Sequence, residues 1–370
     1  MSLLAFILPL AYLLLLLWMY FKWTALKKET TVLQRSPHSK IKLSVLVPFR
    51  NEASNLERLV KRLKLAASKV SFELEFIFID DESDDEGAAL LSDANLELRL
   101  LSNKGQGKKT ALETGILAAK HPWILSLDAD IDVPEAYFEH LSSLPELAES
   151  SSHLIILPVK PIGERSFLSA FQQLEFLSLM GTTAAFASAQ NPILCNGANL
   201  LFQKEVWLKY RHQLHLDVAS GDDVFLLQAI KKDGGKISIA QDIQLAVATQ
   251  VSASWGAFLQ QRIRWGSKAK YYSDPSLKAL SWLVFLSQLN FIALLIALPF
   301  SNFYFNINVL WLWSLYLAMS VLFLGDVSKW YQLKLGSYLL PSAIFYPFYL
   351  VFTAFAALFR KAEWKGRVSK

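Results

Sequence analysis

Apolar positions along this chain follow two regimes. Residues 3–21 carry no charge, and three further runs at 279–300, 307–324 and 338–359 are apolar almost without interruption. Each is long enough to cross about 30 Å of hydrocarbon as a helix. Between roughly Lys40 and Ser276 the pattern breaks into short pieces. Residues 43–48 read as a buried strand closed by Pro48, since a proline can end a strand. Leu56, Leu59, Val60 and Leu63 then recur at helical spacing, with Ser54 or Asn55 as the expected cap. Strands are predicted at 74–79, 96–101 and 123–127, with a helix through Ala111, Leu112 and Ile116 before the last of them. Such strand–helix alternation predicts a parallel α/β core. Beyond it the pattern predicts a helix over 135–144, a strand over 153–159 and a long helix over 165–189. A polar turn at Asn196–Asn199, a helix from Val224 to Ile230 and a helix from Trp255 to Trp265 complete the reading.

Composition sharpens this. The 370 residues are 53% hydrophobic and 19% charged, which excludes an ordinary soluble protein. The first apolar run lacks a basic leader and a small-residue cleavage site, so it reads as a retained anchor. The expected organisation is a membrane helix at 1–22, a linker at 23–39, a globular domain at 40–276, about three membrane helices at 277–360 and a basic tail at 361–370. Lys22, Lys27, Lys28 and Arg35 follow the first run, which places the globular domain in the cytosol by the positive-inside rule. Lys329 and Lys334 agree with that orientation, whereas a fourth span would put the tail outside. Either one run is re-entrant or the tail breaks the rule. The net charge of +5 lies largely beside the apolar runs and forms no basic stripe, so headgroups rather than nucleic acid are the expected partners. The lone Cys195 excludes an intrachain disulfide and a cysteine zinc site.

Candidate chemistry gathers at strand ends, where open α/β sheets bind ligands. Asp128 and Asp130, two apart, can point to one side and repel unless a cation lies between them; a solvated acidic turn is the plainer reading. The cluster Asp80, Asp81, Glu82, Asp84 and Asp85 likewise needs a metal, a nucleobase or basic partners, or else caps the next helix. Gly105 and Gly107 allow close backbone approach to an anion, with Lys108 or Lys109 supplying charge, although the spacing is not that of a Walker loop. The amides of Asn196 and Asn199 either line a sugar or acceptor pocket or simply form a turn. Asp222 and Asp223 open a helix, where the macrodipole favours a carboxylate as plain cap or as proton acceptor. Gln261 and Arg264 share a helical face beside Trp265, fit for a diphosphate and an acceptor, or for an interfacial helix at headgroup level.

Taken in order, Pro48 to Glu52, Asp80 to Asp84, Gly107-Lys108, the Asp128–Asp130 pair, Gly221-Asp222-Asp223 and the Gln261–Trp265 motif resemble the membrane-embedded family 2 glycosyltransferases. That group, of GT-A fold, includes cellulose synthase, hyaluronan synthase and ceramide glucosyltransferase. The resemblance implies a Rossmann-like mixed sheet flanked by transmembrane helices. It implies inverting transfer of a sugar from a nucleotide donor, a UDP-sugar, to a hydroxyl of a membrane lipid or lipid-linked glycan. By the same resemblance Asp80 and Asp81 lie at the nucleotide, Asp81 on the uracil, with Pro48, Glu52 and Lys108 around it. Asp130 binds Mg2+ or Mn2+ with Asp128 near the donor, Asp223 is the general base, and Gln261, Arg264 and Trp265 contact diphosphate and acceptor. The group commonly has Glu-Asp where this chain has Asp222-Asp223, which leaves the choice of base between the two open. A processive polysaccharide synthase and a non-catalytic nucleotide-binding transporter or scaffold are the competing readings.

Overall fold

A computed structural model describes residues 6–32, 41–215, 221–359, 363–364 and 367–368. Arg35, Ser220, the linker beyond residue 32 and most of the basic tail lie outside the described residues. In chain order the elements are α1 (Ile7–Val32), β1 (Lys42–Phe49), α2 (Ala53–Ala67), β2 (Glu73–Asp80), α3 (Gly87–Ser92), β3 (Arg99–Ser102), α4 (Lys108–Ala118), β4 (Trp123–Leu127) and β5 (Ile131–Asp132). Then come α5 (Tyr137–Ser142), α6 (Pro145–Ala148), β6 (Leu154–Ile156), β7 (Val159–Ile162), α7 (Phe167–Ser188), β8 (Asn199–Gln203), α8 (Lys204–Tyr210), α9 (Asp222–Lys232), β9 (Ile237–Ile239) and β10 (Val247–Gln250). The chain continues through α10 (Trp255–Gly266), α11 (Pro275–Ala297), α12 (Phe303–Trp330) and α13 (Gly336–Phe359) to the short strands β11 (Glu363–Trp364) and β12 (Arg367–Val368).

These elements form two compact units. One comprises the described parts of Lys27–Ile162, Gln190–Gln250 and Trp364–Lys370. Its main sheet has seven strands in the order β3-β2-β1-β4-β8-β6-β9, and β5-β10-β7 form a second sheet. Strands β1 to β4 run parallel, while β8 is antiparallel to both β4 and β6. The sheet is therefore mixed, where strand–helix alternation alone predicts a parallel one; β8 enters from a turn rather than from a crossover helix. Leu43, Val45, Leu46 and Val47 of β1 and Ile124, Leu125 and Leu127 of β4 are fully buried. That burial on both faces is why their sequences are continuous apolar runs.

Three local departures from the sequence reading have physical causes. The strand predicted over 153–159 divides into β6 and β7, which belong to different sheets. Pro158 stands between them and has no N–H for a ladder. Helix α2 begins at Ala53, ahead of Ser54 and Asn55, because the Ala53 N–H donates to Asp85 Oδ2 at 2.8 Å. The cap comes from the acidic cluster instead of the local sequence. The predicted linker at 23–39 starts as helix, since α1 continues to Val32.

The other unit comprises the described parts of Met1–Leu26, Gly163–Ala189 and Val251–Glu363. Among the described residues, four helical segments are long and apolar enough to cross a membrane, and they belong to this unit: Ile7–Lys27, Pro275–Phe300, Phe303–Trp330 and Gly336–Phe359. Helices α7 and α10 pack with them, so residues 163–189 and 251–276 separate from the rest of the 40–276 stretch. Helix α7 contributes to the core of this unit: Phe171, Leu174 and Leu177 are buried, and so are Gln172, Gln173 and Glu175. Within the unit Trp23 Nε1 donates to Asp326 Oδ2 at 3.0 Å, and Ser287 Oγ donates to the Leu8 carbonyl.

Candidate active site

The carboxyl ends of β1, β2, β3 and β4 meet at one edge of the main sheet, and β8, being antiparallel, begins there. Residue Leu127 pairs with Asn199, which brings the 196–198 turn against Asp128. Two glycines open the helices that deliver charge to this edge. Gly107, at φ 93°, precedes Lys108, and Gly221, at φ 89°, precedes Asp222. Both lie in the left-handed region, where a side chain would be strained.

Lys108 is the junction. Its Nζ donates to Asp128 Oδ1 at 2.6 Å and to the Gly197 carbonyl at 3.2 Å, and lies 3.9 Å from Asp222 Oδ2. Burial by itself lowers an ammonium, but the charges of Asp128 and Asp222 outweigh it and hold Lys108 above the usual lysine range. Asp223 Oδ2 accepts the Gly197 N–H at 3.0 Å and Oδ1 accepts its neighbour Val224 N–H at 2.8 Å. Asp222 is buried, whereas Asp223 is half-buried. A Cβ on Gly197 would sit 3.2 Å from both Asp222 Oδ2 and Lys108 Nζ.

Asp130 lies beside this group. Loss of water around its carboxyl, and then the charges of Asp128 and Glu52, push it up to about 6, although the residue as a whole reaches solvent. Among the described residues no three of His, Cys, Asp and Glu form a metal-binding group. The fit to a divalent cation therefore rests on Asp130 and Asp128, hard oxygen donors crowded by like charge that a cation would relieve. The remaining oxygens would come from outside the chain.

The acidic cluster after β2 is held mostly by the protein itself. Arg50 Nη1 donates to the carbonyls of Asp81 and Glu82 at 3.0 and 2.9 Å, and Arg50 pairs with Glu82 and Asp84. Asp80 Oδ1 accepts the Ser83 N–H, and Asp85 takes those of Ala53 and Gly87. Asp81, 2% exposed, accepts the Gly107 N–H on both oxygens at 2.9 and 3.0 Å and Asn103 Nδ2 at 2.6 Å. Its carboxylate thus anchors the glycine-rich loop directly. Pro48 is buried in β1, and Glu52 accepts Asn55 Nδ2 at 2.6 Å.

Several contributors carry little sequence signal. Lys109, next to Lys108, is buried and donates to the carbonyls of Leu214 and His215 at 2.9 and 2.7 Å, with its ammonium 4.7 Å from the Phe225 ring centre. Asn196 Oδ1 accepts the Ala198 N–H, the turn alternative. Asn199 is fully buried; it accepts from Tyr137 Oη and donates to the carbonyls of Pro158 and Leu245 at 2.9 Å each. It joins the two sheets.

Gln261, Arg264 and Trp265 lie on α10 in the unit that holds the apolar helices. There Arg262 is the buried charged member of the motif. It makes a forked pair with Glu175 of α7 at 2.6–3.0 Å and donates to Gln261 Oε1. Its guanidinium carbon lies 4.2 Å from the Trp265 ring centre and 4.7 Å from that of Phe258.

Comparison with known proteins agrees with this architecture. Residues 44–204 match the model of glycosyl transferase family 2. One relative is the undecaprenyl-phosphate 4-deoxy-4-formamido-L-arabinose transferase of Pseudomonas fluorescens (strain SBW25), 29% identical over 115 residues, 30% of this chain and 32% of that protein. Its counterpart in Enterobacter sp. (strain 638) is 34% identical over 98 residues, 25% of this chain and 30% of that protein. The chain thus spans about a third of the length of the curated relatives it matches. Among solved structures, the mannosyltransferase PcManGT from Pyrobaculum calidifontis, in complex with GDP-Man and Mn2+, superposes with a TM-score of 0.58 at 18% identity, covering 92% of this chain and 95% of that one. Over residues 44–204 the chain is thus similar to glycosyl transferase family 2, and it shares the GT-A fold.

Proposed function

We propose that this chain is a membrane-embedded, inverting glycosyltransferase that moves a sugar from a nucleoside-diphosphate donor, a UDP-sugar, onto a membrane lipid or lipid-linked glycan. The observation that carries the reading is the Lys108 ammonium held between Asp128 at the end of β4 and Asp222 at the start of α9. It brings the donor carboxylates and the acidic pair of α9 to one edge of a family 2 domain. The lipid class draws support from the four apolar helices and from the undecaprenyl-phosphate in the relatives' names. Uracil as the base follows from the acidic cluster at Asp80 and Asp81. The GDP-Man of the structural neighbour makes guanine the alternative. The cytosolic placement follows from the basic residues after the first span.

In this reading an acceptor oxygen attacks the anomeric carbon as the bond to the diphosphate breaks, and the nucleoside diphosphate leaves. Asp223, more accessible than Asp222, takes the acceptor's proton. Lys108 keeps positive charge beside Asp128 and the departing group. Pro48, Glu52 and Asp81 frame the nucleoside, and Gln261, Arg264 and Trp265 serve the diphosphate and acceptor. Asp130, with Asp128 beside it, would hold Mg2+ or Mn2+, which when bound neutralises charge developing on the leaving diphosphate. A single base with no placed carboxylate nucleophile corresponds to displacement with inversion.

The test incubates membranes containing the full chain with a panel of radiolabelled UDP- and GDP-sugars, then extracts with organic solvent. Divalent-dependent label in the organic phase, with inverted anomeric configuration, is the expected result. Label in an aqueous polymer would favour a processive synthase, and nucleotide binding without transfer would favour the transporter or scaffold.

A further inference from the structure

Arg262 occupies a position that the Gln-x-x-Arg-Trp pattern leaves unspecified, yet it is a buried charge of α10. It is 9% exposed, as is its partner Glu175. The two share three N–O contacts, from Nε to both carboxylate oxygens and from Nη2 to Oε2. Tyr349 Oη of α13 donates to Glu175 Oε1 at 3.1 Å, so the carboxylate is tied to α10 and α13 while standing on α7. On α10, Phe258, Arg262 and Trp265 recur at helical spacing and share one face. The guanidinium packs against both rings. Its Nη1 donates to Gln261 Oε1, so the oxygen side of that amide is taken by Arg262 and its N–H groups remain the donors available to a ligand.

Stability gives little reason for this ion pair. The surrounding cluster of Phe171, Phe258 and Tyr349, with Leu168, Leu259 and Phe345 against it, already packs the three helices together. Apolar residues of similar volume commonly hold such a place as well as a buried pair does. What an apolar residue cannot supply is orientation: a forked guanidinium fixes the Gln261 amide and the plane of Trp265 at once.

We propose that Arg262, through Glu175, is a positioning residue that fixes the Gln261 amide and the plane of Trp265 within their own helical unit; this rests on the glycosyltransferase reading above, which gives those two side chains to diphosphate and acceptor. Misplacement of binding groups by about 1 Å is enough to cost about a hundredfold in rate.

The experiment compares full-length wild type, E175M/R262M and R262K in detergent micelles, by thermal melting and by donor KM and kcat. The double variant, with the pair replaced by apolar side chains, is expected to melt modestly below the wild-type temperature, because Tyr349 Oη loses its acceptor, while kcat/KM falls by about a hundredfold. R262K, which keeps the charge and loses the fork, is expected to melt normally and lose about tenfold. Wild-type kcat and KM in either variant overturn the proposal. If the double variant does not fold, R262K decides by the same criterion, and melting and activity falling together in R262K also overturn it, since that is a purely structural role. Wild-type protein that transfers no sugar from any donor overturns the glycosyltransferase reading instead, so the two failures are distinct.

Discussion

Lys108 Nζ stands 2.6 Å from Asp128 Oδ1 and 3.9 Å from Asp222 Oδ2, so one ammonium ties the strand that ends in the paired aspartates to the helix that begins with the acidic pair. The charge cannot be removed without leaving both carboxylates facing each other. Lys108→Met is expected to destabilise the protein by about 2 kcal/mol, between the values for exposed and buried pairs, since Asp128 is partly open to solvent. Nucleotide-sugar affinity should fall as well. Thermal melting and titration with the donor measure the two effects, and an unchanged melting temperature would remove Lys108 from the role of clasp.

Asp223 differs from Asp222 in access rather than in charge. Both its oxygens accept backbone N–H groups, which fixes the carboxylate's direction while its edge remains half-buried. Asp223→Asn keeps the shape and loses the proposed proton acceptor. Nucleotide binding should persist while transfer falls by about 10²–10⁴-fold. A wild-type rate would move the base to Asp222, or mean that the acceptor oxygen arrives already ionised.

How much of this was legible in the sequence depends on the range of the interaction. The strand ends carrying Asp80, Asp128 and Asp130 could be read because apolar runs stop abruptly at them. The order of motifs supplied the family resemblance. Residues that act across the fold left no local mark. Asn199 looks like any turn amide until β8 is paired with β4, and Asp85 caps a helix that begins 32 residues earlier. Arg262 is one of two arginines in a basic helix, and only the packing of α7 against α10 and α13 separates it from Arg264.

Asn199 therefore makes a sharp stability prediction. Its side chain satisfies Tyr137 Oη and the carbonyls of Pro158 and Leu245 in a fully buried setting. Asn199→Leu keeps the volume and leaves three polar groups unmet, at a cost of about 3 kcal/mol or more. Tyr137→Phe, which removes one donor, should cost about 1 kcal/mol. Chemical denaturation of the two variants gives the comparison; equal effects would mean that Asn199 does not act as the link between the sheets.

In the proposed reading the Asp130 carboxyl links pH to cation binding. With its value pushed up to about 6 against about 3.9 for an ordinary aspartate, the folded chain binds more protons than the unfolded chain between those limits. Stability from this group is therefore present below about pH 4 and is lost as pH rises through 6, the reverse of a salt-bridged aspartate. A divalent cation relieves the same repulsion, and below pH 6 it must first displace the proton. With UDP present, Mn2+ should raise the melting temperature clearly at pH 7.5 and little at pH 5. In Asp130→Asn the shift should be small at both. A shift that is equal at the two pH values, or that survives in the variant, would show that Asp130 does not hold the ion.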